Sequence, residues 1–388
     1  MRPQIMKIFE NMRNDNALSI QSAKKNGLKV VGMFCAYAPQ ELVLAAGAIP
    51  VSLCGTRHEP IAAAEKVLPR NLCPLIKSSF GFALTDTCPY FRASDFIIAE
   101  TTCDGKKKMF ELLGEIKPVH VMHLPQGTDR NGALQWWLEE LYLLKVRLEE
   151  NLGVTISTDN LRSAIKVCNR ERKALKELHE LNRHDPAPMT GLDMLTTIFV
   201  KGFNVDKEEG TALINQLAEE VRDIAARGIS PFANGAPRIL LTGCPVGIGS
   251  EKVVRLLEEC GGSVVCFESC SGIKVMEYLV DEDEHRDPME AIAERYLRIP
   301  CSCMSPNKGR LELLGRLIDD YRVDGVVDLT WQACHTYIVE DELVRRYVRD
   351  NFGLPYLQLE TDYSTSDIEQ LKTRISAFLE MLSGSCSS

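Results

Sequence analysis

Short apolar runs alternate with helical patterns between residues 28 and 122. Each apolar run has the length and composition of a buried strand, and the stretches between them carry apolar residues at helical spacing. Alternating strands and helices are typical of a parallel sheet that is covered on both faces. The predicted strands are 28–34, 48–53, 95–99 and 118–122, and the predicted helices are 39–46, 61–68 and 106–115.

The pattern becomes helical in the middle of the chain. Apolar positions recur at helical spacing over 137–151, 158–182, 189–200 and 206–226. Asp159 and the segment Asn204-Val205-Asp206 lie where helix starts place capping residues. This stretch predicts a helical linker or insert.

A second unit of alternating strands and helices follows. Together with the first unit it predicts an α/β fold: two Rossmann-like parallel-sheet domains joined by a helical segment. The predicted boundaries are 1–130 for the N-terminal α/β domain, 131–232 for the helical segment and 233–388 for the C-terminal α/β domain. In this last domain the predicted strands are 238–242, 262–267, 325–329 and 355–359, and the helices are 250–259, 289–295, 309–321, 339–351 and 366–382.

Composition narrows the classes of function. Of 388 residues, 45% are hydrophobic and 26% are charged, which is the balance of a soluble globular protein. The net charge of −9 argues against nucleic acid as a partner, because phosphate binding needs clustered Lys and Arg. The N-terminal segment is polar, and no uninterrupted apolar stretch reaches the length of a membrane span. We therefore expect a cytoplasmic protein with no membrane partner.

The cysteines are the most informative residue type in this sequence. There are 14, and in a reducing compartment so many thiols do not predict a disulfide framework. Ligands of parallel sheets bind at the carboxyl ends of the strands, and several cysteines follow predicted strands or lie in polar loops. The strand-end cysteines are Cys35, Cys103, Cys244, Cys270 and Cys334, and the loop cysteines are Cys73, Cys301 and Cys303.

The remaining cysteines are interpreted differently. Cys168, Cys260 and Cys266 are expected to be packing residues, and Cys54 and Cys88 to be packing residues or neighbours of the ligands. Structural zinc usually binds pairs of cysteines at short range, whereas the only close pair here is Cys301-Ser302-Cys303. Widely separated single cysteines suit a larger iron–sulfur cluster. Spacing alone leaves both metals open.

Three segments resemble the 2-hydroxyacyl-CoA dehydratase family. They are Asn71-Leu72-Cys73-Pro74, residues 100–107 around Cys103-Asp104-Gly105-Lys106-Lys107, and Gln332-Ala333-Cys334-His335. The resemblance covers nearly the whole chain. It implies a 4Fe–4S cluster that is bound through Cys73, Cys103 and Cys334.

Further segments resemble the double-cubane cluster proteins within that family, namely 34–41, 242–245, 268–270, 301–303 and 360–367. This resemblance implies a homodimer in which each subunit carries two 4Fe–4S cubanes joined by one sulfide, in the cleft between the α/β domains. Such a cluster, 8Fe–9S, needs six thiolates. We expect these from Cys35, Cys73, Cys103, Cys270, Cys301 and Cys334. Cys303 is an alternative to Cys301, and Cys244 is an alternative to Cys270.

The resemblance also implies an activity. A separate ATP-hydrolysing iron–sulfur reductase would deliver electrons at low potential, and the cluster would reduce small molecules as an oxidoreductase. The chain itself has no Gly-x4-Gly-Lys-Ser/Thr phosphate loop, and its Gly-rich segment Gly243–Gly249 is expected to be a tight turn.

The catalytic residues are not identified by the sequence. His335 and Lys106 are candidates for a role beside the cluster, and Lys107 and Lys77 have the same status as Lys106. The alternatives are a surface histidine and a solvated helix face.

Two other functions remain open at this stage. One is a 2-hydroxyacyl-CoA dehydratase subunit with a single 4Fe–4S cluster, which needs only Cys73, Cys103 and Cys334. The other is a cluster carrier or electron-transfer protein without a catalytic role. A zinc-stabilised binding module has less support from the spacing of the cysteines.

Overall fold

The computed structural model describes residues 1–53, 55–128 and 130–385. Over these residues the chain forms two α/β units with a helical region between them. No helix in the described ranges has both the length and the apolar composition that crossing a membrane requires.

The first unit is built on a four-stranded parallel sheet in the order β2-β1-β3-β4. Val31 of the inner strand β1 pairs with Pro50 of β2 on one side and with Phe96 of β3 on the other. Both β1 and β3 are fully buried, as expected for strands with helices on both faces. The strands are β1 Val30–Met33, β2 Ile49–Ser52, β3 Phe96–Glu100 and β4 Val119–Met122; the helices are α1 Met6–Lys25, α2 Gln40–Ala45, α3 Ile61–Ala64, α4 Pro74–Thr85, α5 Pro89–Ala93 and α6 Asp104–Leu113.

The middle region contains long helices. Asp206 caps the last of them, because its carboxylate accepts hydrogen bonds from the backbone N–H groups of Glu208 and Glu209. The cap predicted at Asp159 is instead provided by Ser157, and Asp159 lies in the first turn, where a carboxylate also stabilises a helix. The helices are α7 Ala133–Leu152, α8 Thr158–Glu180, α9 Gly191–Lys201 and α10 Lys207–Ala226.

The second unit repeats the strand arrangement of the first. Its four-stranded sheet has the order β6-β5-β7-β8, and every pair is parallel. The strands are β5 Arg238–Gly243, β6 Ser263–Glu268, β7 Gly325–Trp331 and β8 Tyr356–Thr361; the helices are α11 Lys252–Glu259, α12 Pro288–Leu297, α13 Lys308–Asp320, α14 His335–Phe352 and α15 Ile368–Ser385. The predicted fold class of two parallel-sheet units is thus confirmed.

The hydrophobic core does not follow the predicted domain boundaries. One cluster of buried residues joins both sheets, including Ile97 of β3 and Leu240 of β5. A second cluster packs the other face of the first sheet against α7 and α8, and also against α12 from the C-terminal part of the chain. Buried side chains from both sides of residues 130 and 232 pack together, so the core does not mark a boundary at either position. The three domain ranges therefore stay a prediction.

Candidate functional site

Five of the candidate cysteines lie at or just after the carboxyl ends of strands. Cys35 follows β1, Cys103 follows β3, Cys244 follows β5, Cys270 follows β6 and Cys334 follows β7. Parallel strands present their carboxyl ends at one edge of a sheet. Both sheets therefore place thiols at the edge where ligands of this fold class bind.

One set of thiols, which we name the Cys334 group, consists of Cys73, Cys103, Cys244 and Cys334. The Cys334 sulfur has side-chain hydrogen bonds with Cys244 and Cys73, which lower the pKa of Cys334 to about 3. The same contact raises the pKa of Cys73, as burial does. Cys103 is near enough for a charge on Cys334 to raise its pKa, although burial raises it more.

A second set, the Cys301 group, consists of Cys35, Cys270, Cys301 and Cys303. A hydrogen bond with Cys303 lowers the pKa of Cys301 to about 6. Burial raises the pKa of Cys35 and Cys270, and the charge of Cys301 raises both further; a charge on Cys270 also raises the pKa of Cys35. Each group therefore collects thiols from both sheets around one sulfur that is stabilised as a thiolate.

Helix N-termini position three members of the Cys334 group. Cys73, Cys103 and Cys334 are the N-cap residues of α4, α6 and α14. The backbone N–H of Lys106 donates to the Cys103 sulfur at 3.4 Å. Helix N-termini carry partial positive charge, which stabilises thiolates over thiols.

The Gly-rich turn after β5 fixes Cys244. Gly243 has φ of +103°, and a Cβ at this position would lie 2.2 Å from the carbonyl oxygen of Leu329. Only glycine fits such a conformation at such a close approach. The turn allows the backbone N–H of Trp331 to donate to the Cys244 sulfur at 3.4 Å. The segment thus forms the tight turn that its sequence predicts.

The candidate cationic and histidine side chains differ in their placement. Lys106 is buried and paired with the buried Glu100, so the alternative of a solvated helix face is wrong for this residue. Burial raises the pKa of Cys35, Cys103 and Cys270, and the charge of Lys106 counteracts this shift at all three. Lys107 pairs with Asp104 outside the groups.

Among the described residues, no side-chain hydrogen bond or ion pair joins Lys77 or His335 to the cysteine groups. Lys77 is buried and donates to Glu65 and to the carbonyl of Arg70. His335, the first residue of α14, is exposed. Its position favours the alternative of a surface histidine.

Tyr337 lies beside both groups. Its ring is covered by the Arg310 guanidinium, 5.0 Å from the ring centroid, and its hydroxyl has no hydrogen-bond partner among the described residues. Burial raises the pKa of Tyr337, and charges on Cys301, Cys270 and Cys244 raise it further. A buried hydroxyl without a partner is costly, so this hydroxyl is available to donate a hydrogen bond to a bound group.

A cavity of about 190 Å³ opens next to the Cys301 group. Cys35, Cys270 and Lys106 line one part of it. Gly247 of the turn after β5 lies in its wall. A small molecule could therefore reach the sulfur atoms of this group.

The donors of both groups are thiols, the ligand type that iron–sulfur clusters bind. Among the described residues no group of three or more His, Cys, Asp or Glu side chains has the spacing to hold one metal ion. Ligands of one ion converge on one point, whereas the thiolates of a cubane each bind a different iron. The thiols of the two groups are of the type that bind the separate irons of such a cluster.

The other cysteines that the structure describes lie apart from these groups. Cys168 and Cys266 are buried among core residues, as predicted, and Cys260 is half-buried and accepts a hydrogen bond from the Ser376 hydroxyl. Cys88 is the N-cap residue of α5 and accepts from the Phe91 N–H. Cys54, predicted to be a packing residue or a neighbour of the ligands, lies outside the described residues.

The facing parallel sheets and their strand-end thiols define an α/β protein with a cysteine-rich central site. Residues 35–382 match the family model described as 2-hydroxyglutaryl-CoA dehydratase, D-component. The chain therefore belongs to the 2-hydroxyacyl-CoA dehydratase family, as its motifs predict.

Relatives named as dehydratase subunits match almost end to end. YjiM of Escherichia coli (strain K12), provisionally named as a dehydratase subunit, is 48% identical over 385 residues, which is 98% of each chain. The (R)-phenyllactyl-CoA dehydratase beta subunit of Clostridium sporogenes is 25% identical over 96% of each chain. The (R)-2-hydroxyglutaryl-CoA dehydratase subunit beta of Acidaminococcus fermentans is 22% identical over 96% of this chain and 98% of its own.

Sequence reasoning missed two features of the site. Tyr337 was not identified, although it follows Cys334 by less than one helical turn and so lies near the same helix N-terminus. The arginines of the cavity, Arg172 and Arg295, lie on α8 and α12 and belong to no motif. The helical pattern calls for apolar residues on the buried side of each predicted helix. An arginine at such a position is the signal that could have identified these two residues.

Proposed function

We propose that this chain is the iron–sulfur component of a low-potential reduction system. It would hold an 8Fe–9S double cubane and reduce small molecules with electrons from an ATP-hydrolysing iron–sulfur reductase. The observation that carries the proposal is the presence of two thiol groups, the Cys334 group and the Cys301 group, rather than one. A single 4Fe–4S cluster needs only one of them.

The positions of the thiols refine the expected ligands. Cys73, Cys103 and Cys334 would bind one cubane, and Cys35, Cys270 and Cys301 the other. Cys244 hydrogen-bonds Cys334, and a charge on Cys73 acts on it, so we propose Cys244 as an alternative ligand within the Cys334 group. Cys303 hydrogen-bonds Cys301 and remains its alternative.

When bound, the cluster would supply low-potential electrons to a substrate in the cavity. The protein's own residues would tune that site. Lys106 offsets negative charge beside Cys35 and Cys270, and the helix N-termini at Cys73, Cys103 and Cys334 stabilise thiolates. Tyr337 would donate its unpaired hydroxyl hydrogen to sulfide, a contact that raises the reduction potential.

The test is iron and acid-labile sulfide per chain in protein purified without oxygen. We expect about eight irons, with sulfide slightly in excess of iron. Cys35→Ser and Cys270→Ser should each lower the iron content, because they remove ligands of the second cubane. Cys88→Ser is the matched control, since Cys88 belongs to neither group, and it should keep all of the iron.

A dehydratase subunit with one 4Fe–4S cluster is the second candidate. The names of the relatives favour it, because they describe dehydratase subunits. It predicts about four irons, which are lost on substitution of Cys73 but not of Cys35. A cluster carrier would bind the same iron but would not turn over a small substrate with the reductase and ATP. The homodimer and the cytoplasmic location are part of the first proposal, and the molar mass in solution tests the former.

A further inference from the structure

The cavity beside the Cys301 group has a cationic end. Arg172, Lys201 and Arg295 line it, and the side chains of all three are largely buried. Together with Lys106 at the cysteine end they give the cavity several cationic side chains. No carboxylate among the described residues lines it.

The carboxylates behind this end do not balance its charge. Glu41 pairs with Arg172 at 2.6 Å. Glu171 is shared by Lys201 and by a further cation, Lys207. These two carboxylates therefore face three cations before Arg295 is considered.

Arg295 has no ion pair with any carboxylate in the described ranges. The hydrogen bonds recorded for its guanidinium go to the backbone carbonyls of Tyr278 and Val275. It stacks on the ring of Tyr296, with 4.3 Å between the guanidinium carbon and the ring centroid. The charge of Glu41 also acts on Arg295, so four cations, Arg172, Lys201, Lys207 and Arg295, share two carboxylates.

Such a surplus of buried positive charge is costly without an anion. Burial lowers the pKa of Arg295 to about 10, and the neighbouring charge of Arg172 acts in the same direction. Arg295 is still cationic at neutral pH. The geometry is fixed before any ligand arrives, because Tyr296 lies against Arg295 and accepts a hydrogen bond from Arg172. A preorganised pair of guanidinium groups is well suited to a carboxylate.

The remaining walls and the size limit the rest of the ligand. Leu195, Ile198, Phe199 and Val246 are among the apolar residues that line the cavity. Its volume is about 190 Å³. The apolar walls suit a short apolar body.

We propose that this cavity binds a small organic carboxylate, with the carboxylate against Arg172 and Arg295 and the apolar body against Leu195 and Ile198. The far end of such a ligand points toward Cys35 and Cys270. The proposed binding follows from the residues of the cavity alone. A role for this ligand as the substrate to be reduced rests on the proposed function.

The experiment is calorimetric titration of protein purified without oxygen, with iron measured on the same sample. The probes are acetate, propionate, butyrate and hexanoate, together with the amides of the same acids and with inorganic sulfate. We expect each carboxylate of fitting length to bind at least about tenfold more tightly than its amide. Affinity should rise with chain length until the cavity is filled. Equal binding of acids and amides, or sulfate binding as tightly as the best carboxylate, would overturn the proposal.

Arg295→Gln tests the assignment of the head group. The preference for acid over amide should fall to less than about threefold. Arg298→Gln is the matched control, because Arg298 is an exposed arginine one turn away that does not line the cavity. It should keep the full preference. If Arg295→Gln does not fold, the acid and amide series on the unmodified chain still decides the outcome.

The iron measurement separates this proposal from the previous one. Carboxylate binding in a sample with a single cluster, or with none, supports the cavity and removes the double cubane. Full iron without carboxylate binding does the reverse.

Discussion

Glu171 should be one of the most consequential carboxylates for the stability of this protein. It lies on α8 with only 2% of its surface exposed. Its carboxylate accepts hydrogen bonds from the ammonium groups of Lys207, at 3.1 Å, and Lys201, at 3.3 Å. Glu171→Gln would keep the shape of the side chain and remove its charge. Two buried ammonium groups would then lack their counterion.

The magnitude follows from the pKa of Glu171. Burial alone would raise this pKa, but the charges of Lys201 and Lys207 outweigh it and lower the value from 4.5 to about 2. One pKa unit corresponds to about 1.4 kcal/mol, so the ionised carboxylate contributes about 3 kcal/mol at pH 7. We expect Glu171→Gln to lower the free energy of unfolding by about 3 to 5 kcal/mol, because breaking a buried pair also strands its partners.

The effect should depend on pH with a definite sign. A carboxylate whose pKa is lowered by folding stabilises the protein above its unfolded pKa, and this contribution is lost as pH falls through the folded value. The difference between the unmodified chain and Glu171→Gln should therefore be complete above pH 5. It should narrow between pH about 4.5 and 2, to about 1.4 kcal/mol at pH 3.

Urea unfolding followed by circular dichroism at pH 7, 5, 4 and 3 measures this difference. Glu208→Gln is the matched control, because Glu208 lies on α10 in an exposed pair with Arg170, and it should cost less than about 1 kcal/mol. A loss below about 1 kcal/mol for Glu171→Gln at pH 7, or a loss that does not change with pH, would refute the reasoning.

Further predictions concern the site and the fold. The Tyr337→Phe protein should retain its iron, but its reduction potential should fall by on the order of tens of millivolts in a redox titration, because sulfide loses a hydrogen bond. An unchanged potential would show that Tyr337 does not donate to the cluster. Gly243→Ala should cost about 3 kcal/mol in urea unfolding, since its methyl group would meet the Leu329 carbonyl, whereas Gly235→Ala, at positive φ in open space, should cost about 1. Asp206→Ala should cost about 1 kcal/mol by loss of the α10 cap, and a neutral effect would contradict that assignment.

The sheets could be predicted well because their strands are short, apolar and buried on both faces. β1 lies within its predicted range, and β3 extends one residue beyond its predicted end. Helix α1 was missed, because its N-terminal half reads as a mixed polar segment. In the structure one side of α1 is buried, with Met6, Phe9 and Ile20 in the core, and the helix packs on α9. Its partner is distant in sequence, so the local pattern alone gave a weak signal.

The site was predictable only in part, for a similar reason. The strand-end rule identified Cys35, Cys103 and Cys334 from local sequence. It could not sort the thiols into groups, because the contact between Cys244 and Cys334 depends on how β5 and β7 pair. The cationic end of the cavity needs side chains from α8, α9 and α12, which only tertiary packing brings together.

The mixed origin of each cysteine group has a consequence for how the protein matures. Under the proposed ligand set, each cubane needs thiolates from both sheets, and Cys334 follows β7 of the second sheet. A nascent chain that has exposed only its first sheet would offer incomplete sets of ligands. Insertion of the cluster would therefore require both sheets to be folded, and the cluster would then link them. Damage to the cluster by oxygen would loosen the same junction, and proteolysis between the sheets would report it.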